Sequence, residues 1–186
     1  MRSALLLGSA VLLGFAAAAA FEGVLQVTGS QAFCTSCHVM AGVEREWSES
    51  VHGRNASGFK ATCADCHVGP GRVAEVRAKV HAIRAELIPW LGGVRRPEQI
   101  EEKRLALAER VWQHLRDTDS ASCRSCHEMT EQDLALQETR ARAEHVDAAK
   151  QGQTCIECHD DGVAHAKVEK PEPEGGDAWK DEDFDL

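Results

Sequence analysis

The chain has 186 residues and carries 21 Lys+Arg against 30 Asp+Glu, a net charge of −9. That balance argues against a nucleic-acid partner, which asks for a basic face toward phosphates. Aromatic residues make up 5% and Tyr is absent, so a core built mainly on buried rings is not expected and something else must fill the interior.

In chain order, the first element is an uncharged run from Ala4 to Phe21, preceded by Arg2 and followed by Glu22. A helix over it spans about 27 Å, the lower edge of what crosses a hydrocarbon layer. The run fits a retained membrane anchor, residues 1–25, and it fits a cleaved signal peptide. With one Arg and the free amine on the near side, either reading places residues 26–166 outside the cytoplasm. From Gly29 onward the chain reads as short helices and loops, without the alternation that builds a sheet.

A helix is predicted from Arg72 to Ile88, with Val73, Val76, Val80, Ile83 and Leu87 as one apolar stripe ended by Pro89. A second runs from Pro97 to Arg116 and buries Ile100, Leu107, Val111 and Leu115. A third starts at a Thr130/Asp133 capping box and continues toward Lys150. Residues 167–186 hold eight acids against three Lys, with Pro and Gly among them, and read as a disordered tail.

All eight Cys lie in four C-x-x-C-H motifs: Cys34/Cys37/His38, Cys63/Cys66/His67, Cys123/Cys126/His127 and Cys155/Cys158/His159. This is the attachment signature of c-type haem. Two thiols add across the two vinyl groups on one porphyrin edge, and the adjacent His reaches the iron. Zinc ribbons pair two C-x-x-C units and need no following His. A dithiol enzyme needs one motif, and a disulfide framework has no use for the His. Four covalent haems on about 165 residues would themselves be the core, close enough for electrons to pass between them.

Five His remain for the second axial positions. His52 and His165 read as ligands. His145 stands between ligand and surface residue, His114 reads as structural, and His81 reads as exposed. Met40 follows its motif His by two residues and can reach an iron in that His's place; Met129 stands in the same relation to the third motif. Lys79 and Glu86, seven residues apart, fall within about 20° of each other on the predicted helix. A Lys and a carboxylate beside a haem can bind a quinol and take its protons; a solvated charged face has the same pattern.

These features together resemble the NapC/NirT family of membrane-anchored cytochromes c, most nearly the small, NrfH-type quinol dehydrogenase subunit of cytochrome c nitrite reductase. The likeness rests on the order anchor, FCTSCHVM, an isolated His, CADCHV, central helices, CRSCH and CIECHDDGVAH. It implies a mainly α fold, with one transmembrane helix and a small haem-packed domain. It implies menaquinol as substrate and a periplasmic multihaem reductase as partner. By position, Met40 would ligate the first haem, with Glu86 on that haem's other side and Lys79 in the quinol pocket. His67 would ligate the second haem, whose sixth ligand the partner enzyme can supply in this family. His127 would pair with His165, and His159 with His52. His145 matches a His of some members only, and as an internal ligand of the second haem it would point to a NapC-like donor serving another reductase. A soluble tetrahaem shuttle is the reading if the N-terminal run is cleaved.

Overall fold

The computed structural model describes residues 2–83, 96–160 and 162–170. Among them the regular elements are α-helices and short 3-10 turns, with no strand. The mainly α expectation holds.

Helix α1 (Arg2–Gly29) continues past the predicted apolar run by two turns. Its most apolar 18-residue window has a mean hydropathy of 2.2 and is wholly exposed. By length and composition it is the one helix among the described residues able to cross a membrane. Of its residues only Leu25 is buried, at the end that meets the rest of the molecule.

Ser30 then caps α2 (Gln31–Cys34), accepting from the Phe33 amide at 3.2 Å. A 3-10 turn (His38–Met40) leads into α3 (Ala41–Glu49). The second motif forms α4 (Cys63–His67), where Asp65 inside the motif accepts from the Thr62 amide at 2.7 Å. Glu157 does the same in the fourth motif, accepting from the Thr154 amide at 2.5 Å across the 3-10 turn Cys155–Glu157. In these two of the four motifs, the acid at the third position thus fixes the first turn.

Helix α5 (Arg72–Ala82) lies where the stripe predicted it, but most of the described stripe is not buried. Val73 is 82% exposed, and Val80 and Ile83 are also exposed. Val76 is half-buried, as are Ala74, Glu75, Ala78 and Lys79. An ion pair accompanies this orientation: Arg72 binds Glu22 of α1 at 2.8 Å and Glu75 at 2.8 Å. Leu87, Pro89 and Glu86 lie outside the described residues.

The predicted Pro97–Arg116 helix is two helices, α6 (Pro97–Glu102) and α7 (Arg104–Asp117), broken at Lys103. The small apolar core is Trp112, Leu115, Ile156 and Val168, with Leu105, Ala108 and Val111 packed against it. Lys170 lies 4.9 Å from the Trp112 ring centre and also pairs with Asp160. The first four residues of the expected tail therefore pack on the body; residues 171–186 lie outside the described set. After α8 (Ala121–Arg124), the capping box predicted at Thr130/Asp133 is present, with Thr130 accepting from the Asp133 amide at 3.2 Å. The helix it starts, α9 (Glu131–Ala135), stops early, and α10 (Thr139–Gln151) follows. Arg142 explains the break. Its guanidinium donates to the carbonyls of Leu134 and Ala135 at 2.9 and 2.8 Å, satisfying a helix end that would otherwise continue.

Candidate functional site

The four Cys motifs are neighbours in space in the order they occupy in the chain. Helix α4, which carries the second motif, packs against α2 of the first and α8 of the third. Gln31 accepts from the Cys63 amide at 2.9 Å, fastening the first motif to the second. Ser120 ties the third to the fourth: it is fully buried, and its hydroxyl accepts from the Ile156 amide at 3.4 Å. Asp119 and Ser120 both sit in the left-handed region, with φ of 50° and 49°, so the chain doubles back sharply between α7 and the third motif.

No disulfide joins any of the eight Cys. Burial raises the Cys63 thiol, and Cys34 beside it adds to the effect. Burial raises Cys66 as well. Cys123 is pushed up to about 11, by burial first and then by the neighbouring Cys155 and Cys66. A catalytic dithiol needs the opposite shift, toward the thiolate. Among the described residues no three His, Cys, Asp or Glu side chains converge on a common cation site.

The imidazoles come together in pairs. His52 faces His127 with ring centres 6.2 Å apart, His67 faces His165 at 6.2 Å, and His145 faces His159 at 6.0 Å. An ion bound by one nitrogen of each of two imidazoles holds their centres about 6 Å apart, because each metal–nitrogen bond is about 2 Å. Three pairs at that spacing, each containing the His of a C-x-x-C-H motif, fit c-type haem with two axial His. The motif imidazoles are exposed and the facing ones half-buried.

The pairing differs from the one the resemblance implies. His127 faces His52 rather than His165, His159 faces His145 rather than His52, and His165 goes to His67. The geometry has a simple cause. His145 is on α10, the helix leading into the fourth motif, while the segment 163–166 lies across α3 and the loop that carries His52.

Two of the three facing His present Nδ1 to a hydrogen-bonding oxygen. The His52 Nδ1 lies 3.0 Å from the Val163 carbonyl, and the His145 Nδ1 lies 2.6 Å from Gln137 Oε1. The buried His165 Nδ1 has no hydrogen-bond partner among the described residues, and the Glu46 carboxylate lies 3.7 Å from it. Nδ1–H toward oxygen leaves Nε2 with its lone pair, the form that binds iron. Burial keeps His165 below the ordinary imidazole value and so neutral. Neither Gln137 nor Val163 is visible as a functional residue in the sequence, since each acts through a fold-dependent contact. Of the other His, His81 is exposed as expected, and His114 is exposed where a structural position was expected.

Glu46 is a hub. Its carboxylate takes both terminal nitrogens of Arg104, at 2.8 and 3.0 Å, and the Ala166 amide at 3.0 Å. Burial works to raise this carboxyl, but the Arg104 and Ala166 hydrogen bonds outweigh it and hold the group below the ordinary carboxylate range.

At the other end of the molecule, Lys79 reaches the C-terminal end of α1. A Cβ built on Gly29 would lie 3.8 Å from its Nζ and 4.0 Å from Glu75 Oε1. The two charged groups of α5 thus lie at ordinary contact distance from this position. Met40 is half-buried and His38 exposed. Glu86, the predicted companion of Lys79, lies outside the described residues.

The comparisons with known proteins agree with this geometry. A protein of Allochromatium vinosum, assigned by name to the tetraheme cytochrome-c type, is 40% identical over 148 residues, 80% of each chain. Cytochrome c-type protein NapC of Escherichia coli (strain K12) is 36% identical over 94% of this chain and 89% of its own. The denitrification system component NirT of Stutzerimonas stutzeri is 36% identical over 86% of this chain and 81% of its own. No solved structure matches at a significant level. The profile of the NapC/NirT cytochrome c family, N-terminal region, matches residues 1–170. With four haem-attachment motifs, three imidazole pairs at iron-bridging distance and one membrane-length helix, the chain belongs to the NapC/NirT cytochrome c family.

Proposed function

We propose that this chain is a membrane-anchored quinol dehydrogenase that oxidises menaquinol and delivers the electrons to a periplasmic reductase. Four covalently attached haem c groups, when bound, supply the one-electron iron chemistry that carries them. Cys34, Cys37, Cys63, Cys66, Cys123, Cys126, Cys155 and Cys158 hold the haems. His67 with His165, His127 with His52, and His159 with His145 serve as axial ligands, and Met40 serves the first haem. The N-terminal run stays attached as a single pass through the cytoplasmic membrane, with the haem domain in the periplasm.

The observation that carries this reading is the junction of α1 with α5. The Arg72–Glu22 pair ties α5 to the end of the apolar helix. Lys79 then lies beside Gly29, and Val73, Val80 and Ile83 face outward on the side of α5 away from the protein. An apolar face at that level suits the lipid boundary, where a quinol arrives. Oxidation of a quinol releases two protons with its two electrons. Glu86 accepts a proton, and Lys79 orients the quinol oxygen or balances the carboxylate.

The resemblance names cytochrome c nitrite reductase as the partner. One contact favours the second reading, a NapC-like donor to another periplasmic reductase. The second motif's His67 already faces His165 within the chain, so its haem needs no ligand from a partner.

Glu86→Gln keeps the shape and removes the base. It is expected to slow menaquinol-driven haem reduction by about tenfold or more, the usual cost of losing a general base, while reduction by dithionite is unchanged. Lys79→Ala should weaken quinol binding more than it slows transfer. Wild-type quinol rates in Glu86→Gln with four haems intact would overturn the site. A mature N-terminus near Phe21 would replace the anchored reading with the soluble shuttle.

A further inference from the structure

The three facing His differ in what surrounds their Nδ1. His52 has a backbone carbonyl and His145 a neutral amide, while the His165 Nδ1 is buried without a hydrogen-bond partner among the described residues and has the Glu46 carboxylate 3.7 Å away. That carboxylate is not an isolated surface charge. Glu46 is fixed by both terminal nitrogens of Arg104 and by the Ala166 amide, next to the His it serves. Arg104 is fixed in turn by Glu101, at 2.6 Å. The side chains of Glu46 and Arg104 are 23% and 19% exposed, so solvent screens them only in part.

From this we infer that the Glu46–Arg104 pair sets the reduction potential of the haem held between His67 and His165, the carboxylate lowering it and the guanidinium raising it. The physics is a charge balance. The oxidised iron centre carries one positive charge more than the reduced one. A carboxylate close behind a ligand imidazole stabilises the oxidised form by its field. A guanidinium in the same place has the opposite effect. Glu46 acts in this scheme only by its fixed charge near His165, touching neither substrate nor iron. The inference rests on the haem-ligand reading above for that one pair.

The test is spectroelectrochemical titration of the purified four-haem protein, with electron paramagnetic resonance of the same samples. Glu46→Gln retains an oxygen that can accept from Arg104 and removes the charge. It should move one of the four midpoint potentials upward by about tenfold in the reduced-to-oxidised ratio, which is about 59 mV for one electron. Arg104→Gln should move the same potential downward. A purely structural role for the pair predicts shifts of one sign in both variants, or in several haems at once, and either result overturns the inference. So does an unchanged set of potentials in either variant. If Glu46→Gln does not retain four haems, Arg104→Gln decides by the same sign rule. The underlying pairing is tested separately: His165→Ala should convert one haem from low to high spin. If it does not, the ligand assignment fails, whatever the Glu46 result.

Discussion

Gly53, next to His52, shows how tightly one residue is constrained. A Cβ there would meet the Trp47 carbonyl oxygen at 2.1 Å and the Ser48 Cα at 2.9 Å, all backbone that cannot swing aside. Gly53→Ala is therefore expected to push the loop off α3 and carry His52 away from His127. The measurable outcome is the conversion of one haem from low to high spin, with haem content retained; an unchanged low-spin spectrum would show that the loop has slack. At this scale the sequence was informative about types and silent about partners. The motif residues could be read directly from their spacing, and His52, His145 and His165 were the candidates for the second ligands. Which imidazole meets which was not readable, because the three pairs are separated by 75, 98 and 14 positions and are decided by how the loops cross. Glu46 and Arg104 lie 58 residues apart, and each alone looks like an ordinary charge on a helix.

Among the elements, α5 is the instructive one. Periodicity located its stripe correctly, and the usual inference from a stripe is burial. That inference fails here because the helix stands beside a membrane-length helix, so its outer side need not be a water side. Arg72 is the residue whose ion pair links α5 to α1. Arg72→Ala is expected to free α5 from α1 and slow menaquinol-driven reduction several-fold, with dithionite reduction and haem content unchanged. Equal quinol rates in variant and wild type would mean that the ion pair has no part in placing the quinol site. The helix breaks follow a similar logic. The Thr130/Asp133 box was legible because a cap is a local code, while the early end of α9 was not, because Arg142 reaches back eight residues to close it.

For the whole molecule, the apolar interior is small: seven hydrophobic residues are buried among those described. A set of that size does not offset the ordering of so long a chain, which agrees with the low aromatic content and with haem as the filling. A pyridine haemochrome assay should return four haems per chain; two or three would mean that some motifs stay unmodified. The motif ladder and the fold were legible together, since four signatures in one chain leave few arrangements. The position of residues 163–166 was not.

That short segment has a consequence for how the molecule is made. Val163 steadies His52, His165 faces His67, and the Ala166 amide completes the setting of Glu46. It also comes late in the haem-binding part of the chain. On the proposed pairing, the fourth haem can gain both ligands from a stretch of 15 residues, His145 to His159. On the same pairing the second haem, whose motif comes early in the sequence, must wait for residue 165. The segment would then work as a latch, and a protein cut short before it would leave the second haem open on one side.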